Sequence, residues 1–302
     1  MLRKLLALGL ALTFGVLLFG FKEFPVSAQT KLSGAEIVDK NVAARGGLQA
    51  WRSVQTMTMS GKMGAGGNRR PPAGAGLPAQ YRGKATTPQP PAEEVQLPFV
   101  MDLKRPGKVR IEIQFNGQTA VQIFDGTNGW KLRPFLGRND VEPYTPEEAK
   151  GAALASDLDG PLVDYAAKGN KLDLEAFEKV EGNDCYKLKV TTKNGAAIHV
   201  WIDAKTFLEA KIEGQPRMLD GVYHPVEVYY RDYRPVQGLQ LPFLLETKIV
   251  PVKAGPRIPQ PPPSEKTVID RVAVNPKLDD ALFTKASLQT PVQATAKKER
   301  SL

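Results

Sequence analysis

The sequence predicts a β-rich domain built on one strongly curved antiparallel sheet with a few helices packed on one side. Two stretches of alternating apolar and polar residues fold back on themselves around Asn-Gly pairs, at Asn116-Gly117 and Asn194-Gly195. Strand-like runs then follow one another from Leu172 to Val274 without long helices between them, which argues against a doubly wound parallel sheet. Strong helix-start signals occur at only two places, Ser33 and Thr145.

The first helix is expected where Ser33-Gly34-Ala35-Glu36 forms a capping box, in which the serine hydroxyl and the glutamate carboxylate satisfy orphan backbone donors. Ile37, Val38, Asn41, Val42 and Ala44 give it one packing stripe, and Arg45-Gly46-Gly47 ends it because glycine accepts the left-handed cap. Leu48 and Trp51 continue as a short second turn. From Val54 the period changes to two, with Met57, Met59 and Met63 alternating with polar residues. The stretch 64–94, rich in Gly, Pro, Ala and Arg, reads as a mobile loop within the domain. Lys108 to Phe115 alternates strictly, Asn116-Gly117 supplies a tight turn, and Thr119 to Asp125 returns. Cys185 to Thr192 and Ala196 to Asp203 repeat that logic. Between the hairpins, Thr145-Pro146-Glu147-Glu148 combines a cap, a first-turn proline and an acidic first turn, so a helix should run toward Asp157. Leu162, Val163 and Tyr165 suggest a short amphipathic turn. Further strands are expected at 172–180, 207–213, 222–233, 244–250 and 267–274, with a proline-rich loop at 251–264 and a closing turn at Asp279 to Phe283.

The amino terminus sets the compartment. Arg3 and Lys4 precede an apolar run from Leu5 to Phe21, and Pro25 and the small residues Val26-Ser27-Ala28 follow, the pattern of a signal peptide cut after Ala28. An uncleaved anchor is the alternative, and both readings put the rest of the chain outside the cytoplasm, the first of them in the periplasm. The expected organisation is therefore a signal peptide (1–28), a single domain (29–288) and a disordered polar tail (289–302), with no span of the membrane after cleavage. The single cysteine, Cys185, forms no internal disulfide, so the domain must rely on its core. A net charge of +9 is spread thinly. Its densest patch, Lys104, Arg105, Lys108 and Arg110, lacks the interleaved aromatics of a nucleic-acid surface, so no nucleic-acid partner is expected.

Catalytic constellations are missing from the pattern. Two histidines, His199 and His224, offer no metal-ligand spacing, and His199 shares a strand face with Trp201, as a packed or rim histidine would. The glycines from Gly64 to Gly76 lack a phosphate loop's Gly-Lys-Ser/Thr ending, and no Gly-x-Ser-x-Gly elbow is present. Asp157 and Asp159 begin like a calcium loop without its later ligands, so turn and helix-end roles explain them. The expectation is a binding protein, not an enzyme, without cofactor or metal.

Five landmarks, taken in order and spacing, carry a resemblance. They are Ala44-Arg45-Gly46-Gly47 with Trp51, Asp125-Gly126-x-x-Gly129-Trp130, Val200-Trp201-Ile202-Asp203, Gly238-Leu239-x-Leu241-Pro242, and Asn275-Pro276-x-Leu278-x-x-x-Leu282-Phe283. Over nearly the whole chain beyond the leader the sequence resembles the outer-membrane lipoprotein-sorting (LolA/LolB-like) superfamily. That resemblance implies an incomplete β-barrel whose apolar concave side is covered by helices and holds lipid or lipoprotein acyl chains. Ile111, Ile113, Phe115, Val121, Ile123, Trp130 and Trp201 are the candidate lining residues. The alternative is an envelope protein-interaction or sensory module, with an envelope protein as partner and the proline-bearing loops as docking surface.

Overall fold

The computed structural model describes residues 32–65, 95–219, 221–252 and 264–288. The expected signal peptide, most of the two loops (64–94 and 251–264) and the tail lie outside the described residues.

Helix α1 spans Gly34–Ala44, and both halves of its capping box form: the Glu36 N–H donates to Ser33 Oγ at 3.2 Å, and the Ser33 N–H donates to the Glu36 carboxylate at 2.8 Å. It stops where Gly46 takes φ +113° and its Cα abuts the Gly238 carbonyl, which leaves no room for a Cβ. Helix α2, Leu48–Ser53, follows and buries Trp51. Helix α3, Pro146–Ala155, starts with a second complete capping box, between Thr145 and Glu148.

The strands are β1 (Thr56–Ala65), β2 (Val95–Lys104), β3 (Lys108–Phe115), β4 (Gln118–Phe124), β5 (Gly129–Arg133), β6 (Arg138–Pro143), β7 (Lys171–Val180), β8 (Asn183–Thr191), β9 (Ala197–Asp203), β10 (Glu209–Leu219), β11 (Val222–Val236), β12 (Leu239–Ile249) and β13 (Glu265–Val274). They form one antiparallel sheet in the order β6-β5-β4-β3-β2-β1-β13-β12-β11-β10-β9-β8-β7. Two meanders are thus sewn together at the centre, where β1 pairs with β13 and Met57 stands opposite Val274. The outermost strands, β6 and β7, are linked along the chain by α3 and the turn-rich stretch 156–170.

That link reports the curvature. Lys131 of β5 grips Glu148 of α3 at 2.5 Å, and three residues along the same helix Gln215 of β10 lies 3.4 Å from where a Gly151 Cβ would stand. Eight strand spacings separate β5 from β10, roughly 38 Å in a flat sheet, whereas three helical residues advance only about 5 Å. The sheet must therefore curl until one short helix reaches both halves. It does not close, because β6 and β7 remain the two ends of the ladder, and the architecture is an incomplete barrel.

Differences from the sequence reading are local. Asn116 (φ +49°) and Gly117 (φ +74°) make the expected two-residue turn. At the second hairpin Thr191 pairs with Ala197, leaving five residues in the loop, and of the Asn194-Gly195 pair only Gly195 has positive φ. Strands β5 and β6 form where no alternation announced them: β5 is only five residues long, and β6 is a largely exposed edge.

Candidate functional site

Pairing registers divide the sheet into two faces. On one, Met59 stands opposite Met101, Met101 opposite Ile111, and Ile111 opposite Gln122, which in turn faces Lys131. Lys131 holds α3, and the Tyr144 ring fills the space a side chain at Gly129 would need, so α3 covers this face. In the other half of the sheet the same face runs through Leu188, Val200, Ile212 and Val228, and α1 rests on it with Gly34 against Leu188. Between the two covered flanks the central strands carry half-buried apolar side chains, among them Met59, Met101, Ile111, Ile113, Val228 and Leu245. They form a stripe along the inside of the curl.

The seven expected lining residues separate onto the two faces. Ile111 and Ile113 belong to the stripe, and Phe115 ends the same row, edge-on to Phe135 at 5.7 Å. Val121, Ile123 and Trp130 point the other way, into a cluster with Phe283 and Leu288 of the C-terminal 3-10 turns. Trp201 also lies on the outer face, where its indole N–H donates to Glu178 at 2.6 Å and the Lys211 ammonium sits 4.1 Å from its ring centroid. His199 is ligated there by two carboxylates, Glu213 at 2.7 Å and Glu175 at 3.0 Å. Alternation tells which residues share a face. It does not tell which face a helix will cover.

A charged cluster missed by the sequence reading closes one end of the curl. Arg45, the C-cap of α1, pairs with Glu209 of β10 at 2.9 Å, each side chain only 10% exposed, and also donates to the Asp159 carbonyl at 3.0 Å. Its guanidinium stacks on Trp51, 4.3 Å from the ring centroid. The Tyr233 hydroxyl donates to the Glu209 carboxylate at 3.1 Å; burial first, and then the Glu209 charge, push that phenol well above its ordinary range. Asp159 accepts from Arg105 and Lys168, each at 2.5 Å, and Lys168 also reaches Asp157 at 2.7 Å. Burial, and to a lesser degree the neighbouring Asp159, lift the Asp157 carboxyl to about 6. Burial alone would raise Asp159 too, but hydrogen bonds from Asp157, Lys168 and Arg105 hold it below its usual value. The Ala-Arg-Gly-Gly landmark was the available signal, because an arginine at a glycine-terminated helix end sits beside the chain reversal that packs on the sheet.

No group of three or more His, Cys, Asp or Glu suited to a metal ion occurs among the described residues, and no described helix is long and apolar enough to cross a membrane. No protein-family model matches the chain, and no curated protein matches it. Solved structures do match. A LolA superfamily protein from Nitrosomonas europaea aligns with a TM-score of 0.50 and 12% identity over 85% of this chain and 100% of its own. A putative outer membrane lipoprotein-sorting protein domain from Vibrio parahaemolyticus gives 0.51 and 13% over 85% and 98%. A DUF1329 family protein from Desulfovibrio piger gives 0.50 and 14% over 86% and 100%. At such identities likeness speaks for architecture: the chain shares the open-barrel fold of LolA-like lipoprotein-sorting proteins.

Proposed function

We propose that this protein is an exported carrier or binder of lipid or lipoprotein acyl chains, acting in the periplasm after removal of residues 1–28 and working through the domain 29–288. The observation that carries the reading is the half-buried stripe through Met59, Met101, Ile111, Ile113, Val228 and Leu245, lying on the face that α1 and α3 flank. Such a surface is left incompletely covered by the chain's own side chains, and an alkyl chain laid along it gains about 0.8 kcal/mol for each methylene removed from water. Ten buried methylenes would supply roughly 8 kcal/mol before ordering costs are subtracted. Two of the structures that share this fold are described as a LolA superfamily protein and a putative lipoprotein-sorting domain, and that likeness supports the reading. Of the residues first considered, Ile111 and Ile113 are retained as ligand contacts and Phe115 as a contact at the row's end.

Native mass spectrometry of protein purified from its own envelope should find a lipid-sized adduct, and a fluorescent fatty acid should titrate saturably. Ile111→Asp is expected to weaken that titration at least tenfold, whereas Trp201→Phe, on the outer face, leaves it unchanged. Absence of both adduct and saturable titration would sink the reading.

A further inference from the structure

We infer that a cleft on the outer face, between the β4–β5 turn and the C-terminal 3-10 turns, binds a neutral sugar ring of an envelope glycan. This inference is independent of acyl binding, since cleft and stripe lie on opposite faces of the sheet. The cleft has a volume of about 490 Å³, and residues of two of the sequence landmarks, Asp125 to Trp130 and Asp280 to Phe283, line it together with Lys108, Thr284 and Lys285. That volume falls within the range of small-molecule sites.

Both walls are held before any ligand arrives. In the first, the Asp125 carboxylate accepts the backbone N–H groups of Thr127 (2.9 Å) and Asn128 (2.7 Å), which leaves the exposed Thr127 and Asn128 side chains for other partners. In the second, Arg110, only 2% exposed, donates to the Leu282 carbonyl and to Ser287 Oγ, both at 3.0 Å. Phe283 and Leu288 pack there against Val121 and Ile123. Lys108, the first residue of β3, anchors the second wall through Asp280 at 2.6 Å. A rigid cleft spends little entropy on closing around a guest.

The lining chooses the guest. Its charged side chains are two lysines, Lys108 and Lys285, and two aspartates, Asp125 and Asp280, so no net charge is offered to a phosphate or a cation. An alkyl chain would strip water from these groups without replacing its hydrogen bonds. A pyranose meets the lining on both counts. Its C–H face suits the half-buried Trp130 ring, and its hydroxyls suit the Asn128 amide, the Thr127 hydroxyl and the Lys285 ammonium.

The test titrates the full chain with a β-1,4-linked tetramer of N-acetylglucosamine, read by calorimetry and by saturation-transfer NMR. Saturable binding is expected, at least tenfold weaker in Asn128→Ala and in Trp130→Ala and within threefold of the parent in Trp130→Phe. Fatty-acid titration should stay unchanged in every variant. Asn128 is exposed, so its variant keeps the experiment decisive if Trp130→Ala unfolds. No saturable sugar binding, undiminished binding by Asn128→Ala, competition between sugar and fatty acid, or a proline-rich peptide occupying the cleft in the sugar's place would each overturn the inference.

Discussion

Replacing Arg45 by methionine measures what the buried ion pair contributes. The pair spans 2.9 Å with both side chains 10% exposed, so solvent screens it little. Removing one member of such a pair typically costs about 3–5 kcal/mol, mostly from stranding the other charge. Here the Tyr233 hydroxyl still donates to Glu209 at 3.1 Å, which favours the lower end. The lost hydrogen bond to the Asp159 carbonyl adds about 1 kcal/mol, and methionine keeps part of the packing on Trp51. The expected loss is therefore about 3–4 kcal/mol, read as a lower urea midpoint with an unchanged slope. Arg45→Met combined with Glu209→Gln removes the stranded charge, so the double variant should lose only about 1–2 kcal/mol. Amide exchange across 156–170 should quicken in the single variant, because Asp159 is one of the groups Arg45 holds. A loss below about 1 kcal/mol for Arg45→Met, or a double variant as costly as the sum of the singles, would refute the reasoning.

Asp157 supplies a pH test. Its folded value of about 6 lies above the ordinary carboxylate value, so the folded state binds the proton more tightly than the unfolded state does. The stability this group contributes is thus fully present below about pH 4 and is lost as pH rises through about 6. Asp157→Asn mimics the protonated side chain and should raise Tm at pH 7.5, with no gain at pH 4; equal effects at both pH values would contradict the assignment. Gly46 and Gly47 separate strain from collision. Both have positive φ, but a Cβ at Gly47 meets nothing within 4 Å, whereas one at Gly46 meets the Gly238 carbonyl. Gly47→Ala should cost about 1–3 kcal/mol from backbone strain alone and Gly46→Ala clearly more, by urea unfolding.

Elements whose signals are local were legible in the sequence. Both capping boxes, the Asn116-Gly117 turn and the glycine stop after α1 depend on residues within a few positions of one another, and each forms. Strand faces were legible as well, since alternation fixes which residues point together. What alternation leaves open is the identity of the cover. Val121 and Ile123 alternate as cleanly as Ile111 and Ile113, but the outer row is covered by Phe283 and Leu288, which lie far along the chain. The surroundings of Trp201 were hidden for a related reason: its strand alone does not show that its cross-strand neighbours are Lys187 and Lys211. Arg45 was marked only by its place in the Ala-Arg-Gly-Gly landmark, and its pairing with Glu209 was illegible, because neither residue alone distinguishes a buried partner from a solvated one.

The polar cluster and the apolar stripe together give the curl a direction. Arg45, Arg105, Asp159 and Glu209 gather where β2 meets β3 and where β10 begins, so this end of the trough is closed by charges that already have partners. At the opposite strand ends, toward the Asn116-Gly117 turn, the stripe continues through Met63 and Leu97, which stand directly opposite each other on β1 and β2. An alkyl chain advancing toward the cluster would have to displace hydrogen bonds that it cannot replace. One lying toward Met63 and Leu97 meets mainly apolar side chains, with Thr267 opposite Met63 as a polar exception, and the flexible Met63 can repack around it. Polarity along the strands, not the width of the opening, therefore sets which way such a chain would lie.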